Sequence, residues 1–146
     1  MRCAFVASFL VLCSVGIVPV AAYADDAPKL DCKDPQTQMM MNACAGRDFE
    51  GADAALNAVW PKAVAAARKQ DANIADETKA SGVPSAEEAL RESERAWIAY
   101  RDAQCSYEGY AAFGGTMQPM LGTECKTRLT EARIAELKEA MKGLGN

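Results

Sequence analysis

The sequence predicts an all-α domain: a small antiparallel bundle of three helices, or four if a proline divides the first, stapled by two disulfides. Three observations carry that expectation. Downstream of residue 24 the chain holds 24 alanines against only six valines and isoleucines, and alanine favours helices whereas β-branched residues dominate strands. Apolar residues recur there at three- and four-residue steps, the period of one helix face. Four cysteines remain in that part of the chain, Cys32, Cys44, Cys105 and Cys125, an even number suited to two cross-links in an exported chain.

The first helix is expected to open near Asp34-Pro35, an N-cap followed by proline at the first helical position. Its stripe runs through Met40, Cys44, Phe49, Ala52, Leu56, Val59 and Trp60, and Pro61 should kink or break it. Helical character resumes over 62–69, and a polar connector follows over roughly 70–84. Ser85-Ala86-Glu87-Glu88 is a capping box that starts the second helix, with Leu90, Glu94, Trp97, Arg101 and Cys105 on one face. A glycine-rich loop is expected over 106–122. The third helix then begins near Thr123, with Cys125, Leu129, Ala132, Leu137 and Met141 on one side and Gly143 and Gly145 at its end.

Residues 1–24 have the form of a secretory signal peptide. Arg2 is followed by an uncharged apolar stretch, Ala22-Tyr23-Ala24 is an A-x-A cleavage site, and the next charges are Asp25-Asp26. A retained membrane anchor and a lipid-modified Cys13 are the weaker alternatives, the second because Leu12 stands where lipoprotein processing wants a small residue. Cleavage leaves one domain, 25–146, with 15 basic against 20 acidic residues, in the periplasm or outside the cell and without a membrane segment. The acidic balance argues against nucleic acid. The chain contains no histidine, which excludes Ser-His and Cys-His nucleophile pairs and His-ligated metals. The cysteine spacing has no C-x-x-C knuckle, so neither a metal nor another cofactor is called for.

If the first two helices pack antiparallel about the connector, one register places Cys44 opposite Cys105, Leu56 opposite Trp97, and Cys32 opposite Cys125. This favours disulfides Cys44–Cys105 and Cys32–Cys125. The local alternative, Cys32–Cys44 with Cys105–Cys125, meets a distance problem if the helix starts at Asp34. Cys44 would then lie about 15 Å along the axis, against the roughly 4.4–6.8 Å between Cα atoms that a disulfide spans. The choice turns on where the helix starts. Arg101 sits on the face that should be buried, where a guanidinium needs a partner, and Asp53 of the first helix is the expected one, as a structural ion pair.

Cys32 with Asp34-Pro35-Gln36-Thr37-Gln38 and Met41-Asn42-Ala43-Cys44, then Ala52-Asp53 and Leu56-Asn57, resembles the opening of the LprI-like lysozyme-inhibitor family. Ala96-Trp97 with Tyr100-Arg101-Asp102-Ala103-Gln104-Cys105 matches its most specific block. Gly114-Gly115-Thr116, Cys125, Leu129-Thr130, Arg133 and Leu137 complete a resemblance that spans about residues 31 to 141. It implies an exported helical domain with paired cysteines and, through a mycobacterial lipoprotein member, inhibition of lysozyme.

The expected function is therefore non-catalytic: binding and blocking a lysozyme or related peptidoglycan-cleaving enzyme. Many lysozymes are strongly basic, so an acidic partner is steered toward them. The candidate inhibitory segment is the glycine-rich loop, with Tyr107, Tyr110, Phe113, Gly114, Gly115, Thr116 and Met117. The rival reading is an envelope adaptor or structural module that binds another exported protein. An enzyme is the weakest reading. Asp53, Glu94, Asp102 and Glu108 could supply a glycosidase pair, but nothing in the sequence encloses two of them in a cleft.

Overall fold

A computed structural model describes residues 30–143 of the 146-residue chain. The expected signal peptide lies outside them. Among the described residues there are four α-helices and no strand: α1 (Gln38–Asn73), α2 (Ala75–Ser81), α3 (Ala86–Gly109) and α4 (Gln118–Gly143), with a 3₁₀ turn at Tyr110–Ala112. None of these helices is long and apolar enough to cross a membrane.

α1 runs through Pro61 without interruption. A proline inside a helix removes one N–H and leaves the carbonyl four residues earlier unpaired. Here that residue is Asn57, which is exposed, so water can satisfy the carbonyl. α1 also starts later than expected. Thr37 is its N-cap, its Oγ1 accepting from the Met40 N–H at 3.2 Å. The expected connector is largely helical, because α1 continues to Asn73 and α2 follows it.

The capping box at Ser85 and Glu88 is present, with both reciprocal hydrogen bonds formed. A carboxylate from another helix reinforces it: Asp71 of α1 accepts from the backbone N–H groups of Ala86 at 2.5 Å and Glu87 at 3.0 Å. Arg68 of α1 and Arg91 of α3 both bond Glu87, which fastens the two helices beside the connector.

The principal packing is not the expected hairpin of the first two long helices. α1 packs most extensively on α4, and α3 packs more on α4 than on α1. α1 and α4 run in the same direction, since Gln38 meets Met120 at one end and Ala63 and Ala67 meet Leu137 and Met141 toward the other. The core is Leu56, Val59, Ala63 and Leu137, with Trp60, Leu90, Trp97, Ile134 and Met141 packed against it. Buried alanines 45, 52, 63 and 67 keep α1 slim where it meets its neighbours.

The disulfides correct the sequence reading. They are Cys32–Cys44, with Cα atoms 5.5 Å apart, and Cys105–Cys125, at 5.3 Å, not Cys44–Cys105 and Cys32–Cys125. The helix start decides the first. With Thr37 as cap, Cys44 lies only about 10 Å along the axis, and the non-helical segment before it folds back far enough to bring Cys32 alongside. The tight turn between α3 and α4 decides the second. α3 reaches Gly109 and α4 begins at Gln118, five residues before the expected Thr123, so Cys105 and Cys125 face each other across an antiparallel pair. Their backbones nearly touch: a Cβ on Gly122 would stand 3.1 Å from the Cys105 carbonyl oxygen.

Candidate functional site

The α3–α4 turn carries every residue of the expected inhibitory segment, though as a shorter and more ordered unit than a long loop. Tyr107 lies in the last turn of α3, Tyr110 opens the 3₁₀ turn, and Phe113 follows it. Tyr107 is 74 % exposed and Phe113 72 %, while Tyr110 and Met117 are also exposed. Tyr110 and Phe113 stack with ring centroids 5.1 Å apart. Gly114 has φ +75°, a backbone conformation that suits glycine, and its N–H donates to Gln118 Oε1 at 3.0 Å. The Thr116 carbonyl accepts from Asn42 Nδ2 at 3.0 Å, which ties the turn to the start of α1.

Tyr107 and Tyr110 border an open groove of about 790 Å³ whose other side is α4, with Glu124 and Arg128. The structure brings these two tyrosines and the stacked Phe113 to one end of the bundle, whereas Gly114, Gly115, Thr116 and Met117 do not line the groove. Sequence reasoning missed its charged wall. Glu108 takes a two-pronged contact from Arg128, 2.9 Å to each oxygen, and also accepts from Gln104 Nε2 at 3.1 Å. The Gln104 bond first, and Arg128 with it, holds the Glu108 carboxyl below its ordinary range. The spacing of Gln104 and Glu108 by four residues was the available signal; Arg128 needed the α3–α4 register.

A second cluster fills the flank of the bundle. The Arg101 side chain is 10 % exposed, with its guanidinium 5.1 Å from the Trp97 ring centroid and 5.3 Å from that of Phe49. Its Nε donates to Asp102 at 3.1 Å, and the expected partner Asp53 stands 3.8 Å from Nη1. The first contact is a hydrogen bond; the second is an attraction at longer range. Burial pushes the Asp102 carboxyl up, but the hydrogen bond and charge of Arg101, with Lys126 beside it, outweigh this and leave it below its ordinary value. Arg133 of α4, its guanidinium 5.8 Å from the Trp97 ring centroid, bonds Glu94 at 2.9 Å, both groups being buried. Glu94 on an otherwise buried α3 face was a legible anomaly, but its partner was not, because the hairpin reading paired α3 with α1.

Of the four carboxylates offered for an enzyme, Glu94 pairs with Arg133, Glu108 with Arg128, and Asp102 with Arg101 and Lys126, while Asp53 accepts from Asn57 through Oδ2 alone. Among the described residues no group of three or more potential ligands is placed to hold a metal ion. What these elements present to solvent is an aromatic rim beside paired charges, an arrangement suited to contact with another molecule.

Comparison with known proteins gives the family. Residues 32–137 match the family described as lysozyme inhibitor LprI. A protein of Rhizobium meliloti (strain 1021), described only as uncharacterized, is 42% identical over 146 residues, the full length of both chains. No solved structure matches. A match over residues 32–137, most of the chain, places this chain in the lysozyme inhibitor LprI family.

Proposed function

We propose that this protein is exported to the periplasm or beyond and there binds and blocks a lysozyme or related peptidoglycan-cleaving enzyme through the α3–α4 turn. The observation that carries this reading is the pair of strongly exposed rings, Tyr107 and Phe113, at an end held by Cys105–Cys125. Exposed aromatic side chains are costly to leave in water and are the common anchors of protein interfaces. Here they are held in place before any partner arrives: the disulfide, the Gly114–Gln118 bond and the Asn42–Thr116 bond fix the turn, which lowers the ordering cost of association. The acidic balance of the mature chain adds steering toward a basic partner and makes association sensitive to salt.

The test is inhibition of several lysozyme types by the purified oxidised protein at low and high salt, repeated with Phe113→Ala and Met117→Ala. Inhibition is expected at low salt, with the double variant weaker by about 30-fold or more, as for loss of an interface anchor worth about 2 kcal/mol. Its melting temperature should match the parent's, because both side chains are exposed. No inhibition of any lysozyme at low salt would remove the reading.

A further inference from the structure

We propose that the cleft between α1 and α3 binds a small α-amino carboxylate, with its carboxylate on Arg101 and its amino N–H on Asp53. The cleft encloses about 280 Å³ and is lined by Asp53, Asn57, Trp60, Ile98 and Arg101 among others. That volume lies just below the range of drug-sized ligand sites and suits a molecule the size of one amino acid. It lies apart from the aromatic turn and does not depend on lysozyme binding.

Arg101 points to the ligand. Its side chain is nine-tenths buried, yet among the described residues only Nε donates a hydrogen bond. Nη1 and Nη2 donate no hydrogen bond among the described residues, and Asp53 Oδ1 stands 3.8 Å from Nη1. Neither is sealed from solvent, since Thr130 Oγ1 is the one fully enclosed side-chain polar atom without a partner among those residues. The Phe49 and Trp97 rings lie 5.3 and 5.1 Å from the guanidinium carbon, and Arg101 lines the cleft together with Asp53, the residue that Nη1 approaches. A planar pair of N–H donors in a largely desolvated place is matched by a carboxylate, which accepts both.

Asp53 narrows the class. A bare anion on Arg101 would meet the Asp53 charge, so the ligand must carry a donor beside its carboxylate. Asn57 Nδ2 already bonds Asp53 Oδ2 at 2.9 Å, which orients the acid and leaves Oδ1, the oxygen nearer Arg101, to accept from an incoming N–H. The 3.8 Å between Nη1 and Oδ1 is too long for a direct bond and suits a bridge made by a carboxylate and its α-nitrogen. Leu56, Trp60 and Ile98 supply an apolar wall for the side chain. Arg91 and Arg95 on the rim are engaged by Glu87 and Glu92. A free amino acid supplies the donor for Asp53 as its ammonium N–H, and the last residue of a peptide supplies it as its amide N–H.

The test uses tryptophan fluorescence of the full oxidised protein, because the chain has two tryptophans, one lining the cleft and one against Arg101. Leucine and glycyl-leucine are titrated to tens of millimolar beside leucinol, which lacks the carboxylate, and 4-methylpentanoate, which lacks the amine. Leucine is expected to give a saturable change, with both deletion analogues at least about tenfold weaker, the loss that follows removal of one charge-assisted bond. Glycyl-leucine binding as well as leucine assigns the site to chain termini, and leucine alone to free amino acids. Asp53→Asn should weaken leucine about tenfold while leaving 4-methylpentanoate no weaker, and Arg101→Lys should abolish both. If Arg101→Lys does not fold, the Asp53→Asn variant, at a half-exposed side chain, decides. No saturable change with either α-amino carboxylate, equal binding of leucinol, or leucine binding untouched by Asp53→Asn would overturn the proposal.

Discussion

At the α3–α4 end of the bundle, Cys105–Cys125 joins two helices whose backbones meet at Gly122, and the turn beyond it shows its aromatic rings to solvent. At the opposite end, beside α2, the join between α1 and α3 contains no disulfide. Asp71 caps α3 from a neighbouring helix, and Glu87 draws Arg68 and Arg91 together. The first end is held by a bond that neither salt nor acid weakens, and the second by charges and hydrogen bonds that both can loosen. The difference separates roles. The end that shows its aromatic rings to solvent has its geometry fixed covalently, so those side chains need not pack inward to stabilise it.

Removing the covalent end should have the largest effect. Cys105→Ser with Cys125→Ser opens a link across 20 residues, a loss of about 3 kcal/mol from chain entropy. Thermal melting should show a midpoint lower by about 10–20 °C, and a change of only a few degrees would mean that packing at Gly122 already holds this end. Asp71→Ala strikes the other end. It leaves the Ala86 and Glu87 N–H groups without their acceptor and should cost about 1–2 kcal/mol in urea unfolding. A loss as large as that of the disulfide would erase the contrast.

The smallest effect is a pH dependence confined to the polar end. The hydrogen bond from Arg68, then that from Arg91, lowers the Glu87 carboxyl from 4.5 to about 2. Because the folded protein holds this group ionised at lower pH than the unfolded chain does, its contribution is complete above about pH 4.5 and fades as pH falls toward 2. Arg68 is well exposed and its link is screened by water and salt, so the effect is modest. Melting curves across that window should fall less steeply for Glu87→Gln than for the parent, and identical slopes would remove Glu87 from the account.

The polar end was also the more legible one in the sequence. Its capping box is local: Ser85 and Glu88 satisfy each other's backbone within four residues, whatever the rest of the chain does. The helical class and the four half-cystines were equally plain. The partners were hidden wherever they depended on register. Arg133 as the mate of Glu94, and Arg128 as that of Glu108, follow from α4 packing on α3, while the hairpin reading looked to α1. Pro61 misled because the rule against interior proline assumes a buried, unsatisfied carbonyl, and the one it leaves belongs to exposed Asn57. For the candidate site, Tyr107, Tyr110 and Phe113 were readable as a group, but the compactness of their turn was not, since Gly109 and Gly122 serve close helix contact where they suggested a long loop.

The two disulfides each join a cysteine to the next one in the described chain, at separations of 12 and 20 residues. A polypeptide delivered N-terminus first to an oxidant can therefore close Cys32 on Cys44 while Cys105 is still unavailable, and Cys105 then finds only Cys125 free. Oxidation in that order favours the native connectivity, because Cys105 is then the one thiol of these four able to exchange with Cys32–Cys44 before Cys125 arrives.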